Sequence, residues 1–167
     1  GSQGSRAIGR TLCQAVKDGG ELLLETKIVH QTGSIDHKDF LERYRGHEDL
    51  VEVHEFIFDM PKFYDWADLV VCRGGASTLN EIAAFGLPSL IIPFPAADAH
   101  QEKNAEMLVR ANAACMITQK DLTPERLIKE IQELRNNVAL RDMIRKNVKA
   151  FHRPHAAEAI AQEILKG

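Results

Sequence analysis

No stretch of this chain approaches the roughly 20 consecutive apolar residues that a membrane-spanning helix requires, and no signal peptide opens it, so no anchor is expected within it. Cysteine is scarce. Cys13, Cys72 and Cys115 lie far apart, are odd in number and sit in or beside apolar segments, which excludes a disulfide framework and is the pattern expected of reduced core residues in a cytoplasmic protein. The seven histidines lack cysteine or carboxylate partners at ligand spacing, so neither a metal site nor a metal cofactor is expected. His30, His37, His47 and His54 are scattered, and His152-Arg153-Pro154-His155 reads as a loop between helices. Charge of one sign is also missing. A net charge of -3 and a pI near 6.2 leave no electrostatic footprint for nucleic acid, and the basic run Arg141, Arg145, Lys146, Lys149 and Arg153 reads as a solvated helix face, with contact to a phosphate or membrane surface as the alternative. Internal repeats, linkers and low-complexity tracts are absent as well.

What remains is a chain of 167 residues, 44% hydrophobic. A single domain of that size buries roughly 70% of its unfolded surface and needs no covalent or metal staple. Helical periodicity runs over residues 5 to 17 through Ala7, Ile8, Leu12, Ala15 and Val16, ending at Gly19-Gly20. A β-branched run from Thr26 to His30 predicts a strand, Asp36 to Arg45 a helix, Leu50 to Phe56 an alternating strand, and Pro61 to Trp66 a short helix with proline in its first turn. Strand Asp68 to Cys72, helix Thr78 to Phe85, strand Ser89 to Ile92, helix Gln101 to Arg110 and strand Ala114 to Ile117 follow. This alternation predicts right-handed crossovers and a parallel sheet flanked by helices. Beyond it only helices are predicted. Thr123-Pro124-Glu125 caps one whose buried stripe is Leu127, Ile128, Ile131 and Leu134, and two more span about Val138 to Phe151 and His155 to Lys166.

The richest segment is Cys72-Arg73-Gly74-Gly75-Ala76-Ser77-Thr78-Leu79-Asn80-Glu81. A buried strand here meets a glycine turn and a helix start, the arrangement that offers free backbone amides and a positive helix end to an anion such as a diphosphate. Ser77 and Thr78 add hydroxyls, and Glu81, one turn in, is placed to accept from sugar hydroxyls. Thr78 to Glu81 also reads as a capping box, a purely structural alternative. Downstream, Asp98, His100, Gln101 and Asn104 follow the next strand, so both polar clusters are expected at the carboxyl edge of the sheet, where open α/β folds bind ligands. The chain opens on the glycine loop Gly1-Ser2-Gln3-Gly4-Ser5, leading into a helix without the hydrophobic strand that ought to feed it. It reads as a phosphate loop whose strand is missing.

These residues resemble a known family. Gly1-Ser2-Gln3-Gly4, Phe56-Ile57 with Asp59-Met60, Trp66-Ala67-Asp68 with Val70-Val71-Cys72-Arg73, the Gly75 to Glu81 turn, Gly86-Leu87-Pro88, Pro93-Phe94, Asp98 with His100-Gln101, and Asn104-Ala105 are together similar to the C-terminal half of the MurG family. Members are bacterial enzymes that transfer N-acetylglucosamine from UDP onto undecaprenyl-diphospho-muramoyl-pentapeptide. The resemblance implies a Rossmann-like α/β domain, the donor-binding half of a two-domain GT-B glycosyltransferase with its first strand missing. Residues 1–167 would bind UDP-N-acetylglucosamine, and an N-terminal domain outside this chain would hold the undecaprenyl-linked acceptor. The whole protein would be a cytoplasmic enzyme, peripheral on the inner membrane face.

Position by position, the resemblance implies that the Ile57 backbone contacts uracil, Glu81 holds the ribose hydroxyls, and the backbone of Ala76, Ser77 and Thr78 holds the α-phosphate. His100 and Gln101 would bond N-acetylglucosamine hydroxyls, with Ser2 and Gln3 lining the diphosphate side. Phe58 departs from the family where an acidic residue is frequent, and His100 from members that carry glutamine. No good catalytic base is present, which assigns that role to the other half and predicts that this half alone turns nothing over. Two other readings fit the same residues: a different GT-B transferase acting on a lipid or natural product, and a non-catalytic UDP-sugar-binding subunit that needs a membrane partner.

Overall fold

The computed structural model describes residues 5–18, 26–97, 99–154 and 161–165. The loop residues Ser2, Gln3 and Gly4, the loop residue Asp98, and most of the helix expected from His155 onward lie outside the described residues.

The helices start and stop where the chain supplies caps. Ser5 Oγ accepts from Ile8 N at the head of α1 (Arg6–Lys17), and Thr123 Oγ1 accepts from Arg126 N at the head of α6 (Pro124–Asn136). Between them come β1 (Ile28–Gln31), α2 (His37–Arg43), β2 (Val51–His54), α3 (Met60–Trp66), β3 (Val70–Cys72), α4 (Ala76–Phe85), β4 (Ser89–Ile91), α5 (His100–Arg110) and β5 (Cys115–Met116). Helix α7 (Val138–Lys149) follows α6. The predicted alternation is therefore present, with shorter strands.

Among the described residues all ladders are parallel, as the β then α rhythm requires, but they form two sheets. β1 pairs with β2 from Ile28↔Val51 to Gln31↔His54, and β3, β4 and β5 form the second sheet in that order. Among the described residues no ladder joins the two. β4 is the centre of the larger sheet and sends its side chains alternately to both faces. Ile91 packs with Leu79, Ile82, Ala105 and Leu108 of α4 and α5, while Leu90 and Ile92 pack with Ile8, Leu127, Leu134 and Ile144 of α1, α6 and α7.

Helix α1 serves both sheets. Its Ile8 joins the cluster around Leu90 and Ile92, its Cys13 and Val16 join Phe40, Tyr44 and Val51 on the β1–β2 side, and Leu12 packs against both. Side-chain burial therefore ties together two sheets that no described ladder joins.

One expectation fails here. α4 begins at Ala76 with Gly75 as N-cap, so Thr78 is its third residue and not a cap, and no capping box forms with Glu81. Gly75 has φ -71 and ψ 138, an extended geometry that starts the helix through the backbone without any side-chain acceptor.

Candidate functional site

The carboxyl ends of β3 and β4 carry the site elements. The first intrahelical bond of α4 runs from Leu79 N to Gly75 O at 3.0 Å, so helical geometry gives the amides of Ala76, Ser77 and Thr78 no carbonyl within the helix. Those are the three groups expected to hold a phosphate, and the macrodipole adds positive potential at the same end. Space matches chemistry. A Cβ on Gly75 would meet nothing within 4 Å, so the helix mouth is open.

Gly74 has another task. A Cβ there would lie 2.4 Å from the backbone oxygen of Gln101, so this glycine exists for close contact with α5 and not for ligand approach. The contact is bonded. Gln101 Oε1 accepts from Gly74 N and from Phe94 N, both at 3.1 Å, and Asn104 Nδ2 donates to Gly74 O at 3.1 Å. The glycine turn, the proline loop after β4 and the first turns of α5 are thereby one unit. Gln101, expected only as a sugar ligand, thus holds the fold together through its Oε1. His100 is exposed at the first position of α5, behind Ala99 in the left-handed region at φ 51.

Glu81 lies one turn beyond Ser77 and Thr78 on the exposed side of α4, opposite the buried Leu79, Ile82 and Ala83. Its Oε2 accepts a 2.9 Å hydrogen bond from the hydroxyl of Tyr64 on α3. Burial, with the carboxylate adding to it, pushes the Tyr64 phenol well above its ordinary range, so it is a neutral donor. Ile57 is buried in the loop after β2, and its amide donates to Gln31 Oε1 at 2.9 Å, which leaves only the carbonyl of that residue for a base. Phe56 and the 92% exposed Phe58 flank it, their rings edge to face at 4.9 Å.

Arg73 is a residue that periodicity and spacing assign no role. Its Nη1 donates to Ile92 O at 3.0 Å and Pro93 O at 3.1 Å, its Nη2 to Gln119 Oε1 at 2.7 Å, and its guanidinium sits 5.5 Å from the Phe94 ring centroid. Burial lowers its pKa, yet the group stays charged because all these partners are acceptors or a π face. It fastens the ends of β3 and β4 and faces a cleft of about 490 Å³ that Ser5, Arg10, Phe94 and Gln101 also line. Cys72, beside it, is no nucleophile, because burial pushes its thiol up to about 12. Among the described residues no group of His, Cys, Asp and Glu could hold a metal ion.

The structure thus brings Ala76, Ser77, Thr78, Glu81 and Gln101 to one edge, with Ile57 at the end of the neighbouring sheet. The contacts that Tyr64, Arg73 and Gln31 make at this edge carry no sequence signal, because each reaches a partner 17 to 46 positions away in the chain.

Known proteins share this fold. The sequence profile of the glycosyltransferase family 28 C-terminal domain matches residues 1–162. A UDP-N-acetylglucosamine--N-acetylmuramyl-(pentapeptide) pyrophosphoryl-undecaprenol N-acetylglucosamine transferase from Bdellovibrio bacteriovorus is 53% identical over 99% of this chain and 46% of its own length. A protein of the same name from an Anaeromyxobacter species is 41% identical over 99% and 44%. The crystal structure of Acinetobacter baumannii MurG superposes with a TM-score of 0.82 at 31% identity, covering all of this chain and 48% of that one. The glycosyltransferase VinC, solved with dTDP, shares the fold at 20% identity and a TM-score of 0.64, over 94% of this chain and 38% of its own. The chain spans about half the length of the curated relatives it matches. With the family profile over nearly its whole length and a MurG structure over all of it, the chain belongs to the glycosyltransferase family 28 C-terminal domains, in their MurG form.

Proposed function

We propose that this chain is the donor-binding half of an inverting transferase that moves N-acetylglucosamine from UDP to undecaprenyl-diphospho-muramoyl-pentapeptide, converting lipid I to lipid II in peptidoglycan synthesis. The observation that carries the reading is α4: three unclaimed amides at an open helix mouth, with a carboxylate one turn below on the same side. That spacing suits a diphosphate joined to a ribose. The 53% identical relative, named for this reaction, supplies the substrate.

In this reading the Ala76, Ser77 and Thr78 amides hold the α-phosphate and stabilise the UDP leaving group as charge builds on it. Glu81 accepts from both ribose hydroxyls. The Ile57 carbonyl accepts N3–H of uracil, a donor that cytosine lacks, while Gln101 Nε2 and His100 bond the sugar, and Ser2 and Gln3, outside the described residues, would line the diphosphate side. The acceptor, the base that deprotonates it and the lipid contact belong to the other half of the enzyme, which would work at the cytoplasmic face of the membrane. Among the described residues no helix is long and apolar enough to cross one.

The test is calorimetry with UDP, ADP, CDP and 2′-deoxy-UDP on wild type and Glu81→Ala. UDP is expected to bind best, and the substitution to cost about 2 to 3 kcal/mol, roughly 30- to 150-fold. The variant should treat UDP and 2′-deoxy-UDP alike. Because Gly75 and not Thr78 caps α4, the fold should lose no more than about 0.5 to 1.5 kcal/mol, the worth of the Tyr64 bond. Normal UDP affinity in Glu81→Ala, or equal affinity for ADP and UDP, sinks the site as drawn.

A further inference from the structure

Tyr64 is 8% exposed, and its ring packs in the main core cluster with the Phe85 ring at 5.3 Å. Packing of this kind fixes both side-chain torsions of a tyrosine, so the hydroxyl is delivered to one point in space. That point is 2.9 Å from Glu81 Oε2. Glu81, by contrast, stands on the exposed side of α4 and has three rotatable bonds, so an untethered carboxylate there would sample many positions and lose that freedom only when a ligand arrived. The phenol removes the freedom in advance. It engages Oε2 and leaves Oε1, with the second lone pair of Oε2, as acceptors on an exposed residue of α4.

We infer that Tyr64 is a positioning residue that presets the Glu81 carboxylate for a vicinal diol and so sharpens the choice of ribose over deoxyribose. The inference rests on the ribose reading of Glu81. It also gives α3 a part in the site, although no side chain of α3 touches the ligand in that reading. Tyr64→Phe isolates the effect, since it deletes one oxygen and keeps the ring that fills the core.

The experiment measures UDP and 2′-deoxy-UDP affinity by calorimetry, with thermal midpoints, on wild type, Tyr64→Phe, Glu81→Ala and the double variant. Tyr64→Phe should weaken UDP about 3- to 10-fold, the worth of one hydrogen bond, and 2′-deoxy-UDP less than about twofold. On the Glu81→Ala background the second substitution should change UDP affinity no further, which is the signature of action through Glu81. Equal weakening of both nucleotides with a lowered midpoint makes Tyr64 merely structural and overturns the inference. So does UDP binding to Tyr64→Phe at or above wild-type strength while Glu81→Ala is impaired, an outcome that leaves the ribose reading standing. Unimpaired UDP binding by Glu81→Ala removes both.

Discussion

A Cβ built on Gly74 would stand 2.4 Å from a backbone oxygen of α5, and one built on Gly75 would stand in open space. Backbone cannot yield as a flexible side chain does, so Gly74→Ala should push α5 away and cost about 1 to 3 kcal/mol or more of stability. Gly75→Ala should behave in the opposite way. Its φ of -71 suits alanine, the entropic gain of about 0.4 to 1 kcal/mol offsets a poorer N-cap, and the new methyl group stands where a phosphate would approach. Chemical denaturation and UDP titration of the two variants check this: Gly74→Ala loses fold, and Gly75→Ala keeps its midpoint while losing UDP. Stable Gly74→Ala with normal binding would contradict the packing role. The sequence shows a Gly-Gly turn followed by hydroxyls, which is enough to locate the amides of Ala76, Ser77 and Thr78. It does not show which glycine meets protein and which meets solvent, because that depends on Gln101, 27 positions on. Tyr64 to Glu81 and Ile57 to Gln31 are equally hidden, being contacts that periodicity leaves open.

At the scale of elements, hydrophobic period and turn residues located every helix and strand of the alternation, since both signals are local. Ladder length is not local. β3 pairs only over Val70↔Ser89 to Cys72↔Ile91, so Asp68 and Leu69, apolar run or not, fall outside it. The split into two sheets was likewise beyond reach, because it depends on which strands find neighbours. It has a measurable effect. In parallel pairing alternate amides face one neighbour: Ile28 N bonds Leu50 O and Thr32 N bonds His54 O, so the Val29 amide points away from β2. Val70 N bonds Pro88 O, so the Val71 amide points away from β4. Hydrogen exchange should find Val29 and Val71 exchanging about tenfold or more faster than Ile28, Val70 and Ile92, whose amides are held by the ladders. Equal protection of Val71 and Val70 would mean that β3 has a second neighbour in solution.

Across the whole molecule, α1 is the common wall of both sheets, and Leu12 touches the core of each. Burial alone is a softer tie than burial with a ladder, so heating should open the two sheets unequally. Calorimetry is expected to give a van't Hoff enthalpy below the calorimetric one for the free protein, and a ratio near one with saturating UDP. A ratio of one without ligand would refute it. The reason lies in where the proposed contacts fall: uracil at Ile57 after β2, phosphate at Ala76 to Thr78 after β3, one molecule resting on both sheets. A nucleotide at 100 times its Kd adds about 2.7 kcal/mol to the state that binds it, and here that state is the assembled pair of sheets. Donor affinity and internal cohesion are then one quantity read on two instruments. A substitution far from any ligand atom, such as Leu12→Ala, would therefore be scored in a binding assay as a damaged site while every group that meets the nucleotide stayed intact.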